Sequence, residues 1–158
     1  MQITSSAFQP GGSIPTRHTC EGDDISPEFS WTGIPAEAKS LVLIVHDPDA
    51  PKANGFTHWV LYNIPPEMTR IDENVSKQGA VTAIGIQGKN DAGRIGYMGP
   101  CPPSGTHRYF VRLYALREKL ELEPGASYEE VKAAISSYLI EQTEIMGTYA
   151  KQKGKSAA

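Results

Sequence analysis

Leu41-Val42-Leu43-Ile44-Val45-His46-Asp47-Pro48-Asp49-Ala50-Pro51 is the stretch that decides how this chain folds. Its first half is a continuous apolar run whose length and bounds favour a strand buried on both faces. Pro48 cannot donate to a ladder, so the strand stops there and Asp47 is left at its last paired position. A carboxylate is thereby fixed at a rigid strand end, beside a turn built from Pro and Asp.

Working outward, Phe56 to Ile64 reads as a second strand, closed by Pro65-Pro66, and Ala80 to Gln87 as a third, weakened by Gly85. His107 to Leu116 alternates most clearly, with Tyr109, Val111, Leu113 and Ala115 on one face. Glu28-Phe29-Ser30-Trp31 reads as a half-buried strand within a first 35 residues broken by Pro and Gly. One long C-terminal helix is expected from about Ser127 to Tyr149. Ser127 and Glu130 form a capping-box pattern, and Val131, Ile135, Tyr138, Leu139, Ile145, Met146 and Tyr149 recur at helical spacing. Strands dominate and a helix follows them, which predicts a mainly β protein: an antiparallel or mixed β-sandwich with peripheral helices.

The chain has 158 residues, 39% hydrophobic and 21% charged, with a formal net charge of −3. That is enough for one domain with its own core, expected over 1–150, followed by a solvated tail over 151–158. The charge and the lack of a basic, aromatic-interleaved stripe argue against nucleic acid. No stretch approaches the roughly 20 apolar residues of a membrane span, and the first residues show no signal-peptide pattern. A cytoplasmic protein is the expectation. Cys20 and Cys101 show no metal-site spacing; two small buried hydrophobes and a mutual disulfide both remain open.

Between Gly85 and Gly105 lie six glycines and three prolines, a long loop of the kind that carries function. It is not a phosphate cradle: Gly88-Lys89-Asn90 lacks the hydroxyl residue and glycine spacing of a P-loop, and no Gly-x-Ser-x-Gly elbow occurs. His107 and Tyr109 share a strand face, and Arg108 points opposite, where an ion pair is its expected role. His58 is expected to share its face with Phe56, Val60 and Tyr62. If the three strands neighbour one another, Asp47, His58, His107 and Tyr109 meet at one rim. A carboxylate there raises the histidine pKa values and makes them cationic N–H donors for a small anion. His18 and His46 read as satisfied structural histidines, and Asp49 as a turn cap. A metal-dependent enzyme using Asp47, His58 and His107 is the alternative from another class. No cofactor is expected. A turn folding back into a pocket rim also makes Ala50-Pro51 a candidate cis peptide bond.

These motifs have a family likeness. Asp47-Pro48-Asp49-Ala50-Pro51, His58-Trp59, Gly99-Pro100-Cys101-Pro102-Pro103 and Gly105-Thr106-His107-Arg108-Tyr109 together resemble the phosphatidylethanolamine-binding protein family, in its bacterial and archaeal Raf-kinase-inhibitor-like branch. Thr19-Cys20-Glu21-Gly22, Ile25-Ser26-Pro27 and Met146-Gly147-Thr148-Tyr149 resemble that branch too. The resemblance implies two antiparallel sheets and a non-enzymatic surface pocket for phosphate-like anions or phosphorylated lipid head groups. It places Asp47, His58, His107 and Tyr109 in the pocket, with Pro48, Asp49, Gly99, Pro100 and Pro102 as its rim. It further implies a kinase or a serine protease as a protein partner, and it is compatible with a homodimer. Only six residues separate Pro51 from His58, and the chain ends soon after Tyr149. By comparison with animal members, the shorter end implies a more open pocket.

Overall fold

The computed structural model describes residues 1–152. In chain order the strands are β1 (Gln2–Thr4), β2 (Phe29–Thr32), β3 (Ser40–Asp47), β4 (Phe56–Ile64), β5 (Arg70–Ile71), β6 (Val81–Thr82), β7 (Gly85–Gln87), β8 (His107–Leu116) and β9 (Leu139–Tyr149), with helix α1 (Tyr128–Tyr138) before the last. They form two antiparallel sheets: β1-β2-β5, and a larger β6-β7-β4-β3-β8-β9.

The run that opens the sequence reading is the centre of the large sheet. β3 lies between β4 and β8, and all eight of its residues are buried. Alternation sends Leu41, Leu43 and Val45 to the face shared with Trp59, Leu61, Phe29 and Trp31, which fills the space between the sheets. Val42 and Ile44 face the other way, with Val60 and Tyr62, under Val131 and Ile135 of α1. Each such large side chain contributes roughly 1.5–3 kcal/mol by leaving water. The third expected strand is a tight β6–β7 hairpin, with Thr82 opposite Gly85.

The long C-terminal helix is not what forms. The Ser127–Glu130 capping box is present, but α1 ends at Tyr138 after 11 residues, and Leu139–Tyr149 is a strand paired along the length of β8. The apolar positions are ambiguous because a spacing of four fits both a helix and a strand: Ile145 and Tyr149 lie on one face either way. Ile140, Thr143, Ile145 and Thr148 are β-branched and prefer the pleat. Gly147 settles the local packing. A Cβ there would come within 2.8 Å of both Ile14 and Phe8, so the strand meets the N-terminal segment at a residue without a side chain. That segment pairs with β9 through Gly11 N–H to the Met146 carbonyl at 2.7 Å and Ile14 N–H to the Thr148 carbonyl at 2.7 Å.

Ala50-Pro51 is trans, against expectation; no cis peptide bond occurs among the described residues. The reversal is achieved elsewhere in the β3–β4 loop. Lys52 N–H donates to the Ala50 carbonyl, Gly55 N–H to the Lys52 carbonyl, and Gly55 takes a positive φ of 71°. Among the described residues no helix is long and apolar enough to cross a membrane. From residue 153 onward, the expected tail lies outside the described residues.

Candidate functional site

At the end of β3, Asp47 is 2% exposed and both of its oxygens are engaged. Oδ1 accepts the backbone N–H of Asp49 at 2.7 Å, closing the turn after the strand. Oδ2 accepts from His107 Nδ1 at 2.6 Å. A carboxylate only accepts, so the proton sits on Nδ1 and His107 keeps Nε2 for other partners. Antiparallel pairing of β3 with β8 brings these residues together from 60 positions apart.

His58 reaches the same place by a device that alternation does not reveal. Val45 pairs with Trp59 and His46 with Thr57, so His58 is the extra residue of a β-bulge. The bulge turns His58 and Trp59 to the same side. Trp59 joins the core between the sheets, while Val60 and Tyr62 lie on the opposite face beneath α1. His58 therefore shares a face with Phe56, as expected, but not with Val60 and Tyr62. A row of rings results: Phe56–His58 at 4.8 Å between centroids, His58–Tyr109 at 5.3 Å and Tyr109–His107 at 6.4 Å.

The charge state expected for His58 is also reversed. Burial holds its pKa below the ordinary value of 6.5, outweighing the upward pull of the Met98 carbonyl and of Asp47. Its Nδ1–H donates to the Met98 carbonyl at 2.6 Å. The neutral ring then offers a lone pair, not an N–H, at Nε2. Next to it, the Tyr109 hydroxyl is the one buried side-chain polar atom among the described residues without a hydrogen-bond partner. Burial, then Asp47 and Asp49, push its pKa well up, so it stays a hydroxyl. An unsatisfied buried hydroxyl costs roughly 1–3 kcal/mol, which a ligand oxygen can recover.

Asp47, His58, His107, Tyr109 and Pro102 line one cavity of about 240 Å³. Pro48, Asp49, Gly99 and Pro100 are not among its lining residues. Asp49 instead holds Arg108 through both carboxylate oxygens, at 2.9 Å each, and this pairing lowers the Asp49 pKa to about 2. Arg108 is thus in an ion pair, as its strand parity implies. Gly99 donates its N–H to Asp24 at 2.7 Å, where a Cβ would come within 2.3 Å of the His18 carbonyl. Pro100 accepts the Cys20 N–H at 3.1 Å. Both therefore fasten the long loop to the Cys20–Asp24 segment.

The two cysteines are bonded, with Cα atoms 5.4 Å apart. Cys101 lines the cavity, so the disulfide ties its wall to the Cys20 turn. Lys52, Phe56 and Met98 also line it and were not singled out from the sequence; for Phe56 the signal was present, two residues before His58 on the same strand. Among the described residues no group of three His, Cys, Asp or Glu side chains is arranged to hold a metal ion, so Asp47, His58 and His107 do not form a three-ligand set.

Two antiparallel sheets with this cavity at the end of the larger sheet's central strands define a class, and the comparisons agree with it. The sequence profile described as "Phosphatidylethanolamine-binding protein" matches residues 4–150. The chain belongs to the phosphatidylethanolamine-binding protein family. Among its relatives, a UPF0098 protein of Methanothermobacter thermautotrophicus is 52% identical over 149 residues, covering 94% of this chain and 98% of that one. The crystal structure of a phosphatidylethanolamine-binding protein homologue from Chlamydia trachomatis superimposes with a TM-score of 0.87 at 42% identity, covering 96% and 97% of the two chains. YbcL of Escherichia coli gives 0.89 at 32% identity, covering 96% and 98%.

Proposed function

We propose that this chain is a non-enzymatic binding protein whose surface cavity takes phosphate-like anions or phosphorylated head groups. The observation that carries this reading is the buried, unpartnered Tyr109 hydroxyl beside the Asp47–His107 pair in the same cavity. Tyr109 donates to a ligand oxygen. His107, oriented by Asp47 through Nδ1, presents Nε2 to the ligand. His58 offers its Nε2 lone pair to a protonated oxygen of the ligand, or takes up a proton as an anion arrives. The His58 route favours binding at lower pH, where its ring and the ligand carry more protons. Family membership supports the same ligand chemistry through the name phosphatidylethanolamine-binding protein.

Calorimetric titration with inorganic phosphate tests this. Wild type should bind more tightly at pH 5.5 than at pH 8, and His107→Ala should lose about tenfold or more in affinity, the value of one charge-assisted hydrogen bond. Equal affinity in the two proteins across that pH range removes the reading.

A further inference from the structure

Pro102 and Pro103 line two hollows at once, and so form a thin wall between them. One hollow is the ligand cavity, to which Cys101 also contributes. The other, of about 290 Å³, lies between residues 102–106 and the pair Ala150 and Lys151. Before the wall the chain is held by the Gly99–Asp24 and Cys20–Pro100 hydrogen bonds, and after it β8 begins at His107. Residues 101–106 themselves make no hydrogen bond or ion pair among the described residues. Pro102 is buried, but Pro103, Ser104, Gly105 and Thr106 are exposed. The Cys20–Cys101 bond is therefore the one specific tie that this wall makes to the rest of the described fold.

A segment with space to move into and no hydrogen bonds to break opens at low cost. The disulfide opposes that opening, and it is within reach of a reductant. Cys20 is exposed and Cys101 half-buried, and exposed disulfides are the ones that exchange. A dithiol attacking through its thiolate at Cys20 Sγ breaks the S–S bond, and Cys101 leaves as a thiolate that takes a proton. The second thiol of the reductant then displaces Cys20, which takes another proton, and the reductant becomes a cyclic disulfide. Two electrons and two protons pass to the protein. The polar groups of the site keep their places, because Asp47 belongs to β3 and His107 and Tyr109 to β8.

Resting on the anion-pocket reading, we propose that the Cys20–Cys101 bond is a redox-sensitive latch on the cavity wall. Oxidised, it holds Cys101, Pro102 and Pro103 beside the ligand space, and the site is preorganised. Reduced, the wall is free to move into the second hollow, and an arriving anion must order it again. Linkage makes the effect reciprocal: a bound anion protects the disulfide from reduction.

Calorimetric titration with inorganic phosphate compares oxidised wild type, wild type kept reduced with dithiothreitol, and the double variant Cys20→Ser, Cys101→Ser. Both forms without the bond should bind about fivefold or more weakly, the scale of re-ordering one residue of the wall. Redox equilibration of wild type against dithiothreitol reads the reciprocal effect. Saturating phosphate should lower the reduction potential by about 20 mV, the same fivefold ratio for a two-electron couple. Far-UV circular dichroism and the ring signals of His46, on the other face of the sheet, should be alike in both states. Equal phosphate affinity in the oxidised and reduced forms, or a potential that ignores phosphate, overturns the latch and leaves the pocket standing. Loss of the dichroism or of the His46 signals on reduction also overturns it, because the bond then holds the whole fold and not the wall. If oxidised wild type does not bind phosphate, the pocket reading fails and the latch with it.

Discussion

His46 and Asp47 are chain neighbours on β3, yet they serve two polar clusters on opposite faces of one sheet. His46 Nδ1 meets the Thr57 hydroxyl at 3.0 Å, and its ring stacks on Tyr128 at 5.6 Å. Nearby on the same face, the Tyr62 hydroxyl donates to the Glu123 carbonyl at 2.5 Å and accepts from the Ala126 N–H. Across the sheet, Asp47 and His107 are as well buried, but the Tyr109 hydroxyl beside them has no partner. Burial is common to both faces. What separates them is hydrogen-bonding capacity left open toward a cavity, and that difference points to ligand binding on one face and structure on the other.

The largest expected effect comes from the wall of the open face. Removing the disulfide with Cys20→Ser and Cys101→Ser should cost about 4 kcal/mol, given the 81-residue separation that the bond closes. Urea melts with and without reductant check this, and a mass gain of two hydrogen atoms on reduction checks that the bond forms. Next comes Asp47→Ala, which leaves His107 buried without its carboxylate and should cost about 3 kcal/mol along with phosphate binding. Thr57→Val is the matching change on the closed face; it should cost about 1 kcal/mol and leave phosphate affinity alone.

A smaller pair divides the faces by sign. Tyr109→Phe removes the unsatisfied hydroxyl and should stabilise the ligand-free protein by about 1 kcal/mol while weakening phosphate binding. Tyr62→Phe removes a satisfied hydroxyl and should destabilise by about 1 kcal/mol without touching binding. Loss of stability in both variants would erase the distinction between the faces.

Much of this geometry could be read from residue order, and the failures have definite causes. The full burial of β3 follows from Leu41 to Val45, and the shared face of His107 and Tyr109 from strand parity. The Arg108 ion pair follows from the same parity. The position of His58 does not: only the register shift between Val45 and His46 turns it beside Trp59, and no residue type marks a bulge. The misread of Leu139–Tyr149 comes from a four-residue spacing that suits both periods, resolved only by pairing with β8. The expected cationic state of His58 took Asp47 as the dominant influence, whereas burial outweighs it. Lys52 gave no signal at all, because only the turn after Pro51 places its side chain over Phe56.

The smallest expected effect lies in pH. Burial lowers the pKa of both His46 and His58 below 6.5, so the unfolded chain binds protons that the fold does not. Their contribution to stability is present above pH 6.5 and is lost as pH falls below it. His46→Gln and His58→Gln should each flatten that loss in chemical denaturation between pH 7 and 5.5. Only the second should also alter phosphate affinity.

The four histidines allow the most direct test of the contrast between the two faces. Their ring nitrogens can be followed by long-range proton–nitrogen NMR during a titration with inorganic phosphate at pH 6. The account predicts that the Nε2 signals of His107 and His58 move with a common binding curve while those of His18 and His46 stay in place. Movement of His46 in step with phosphate, or four unchanged rings at saturating phosphate, would contradict it.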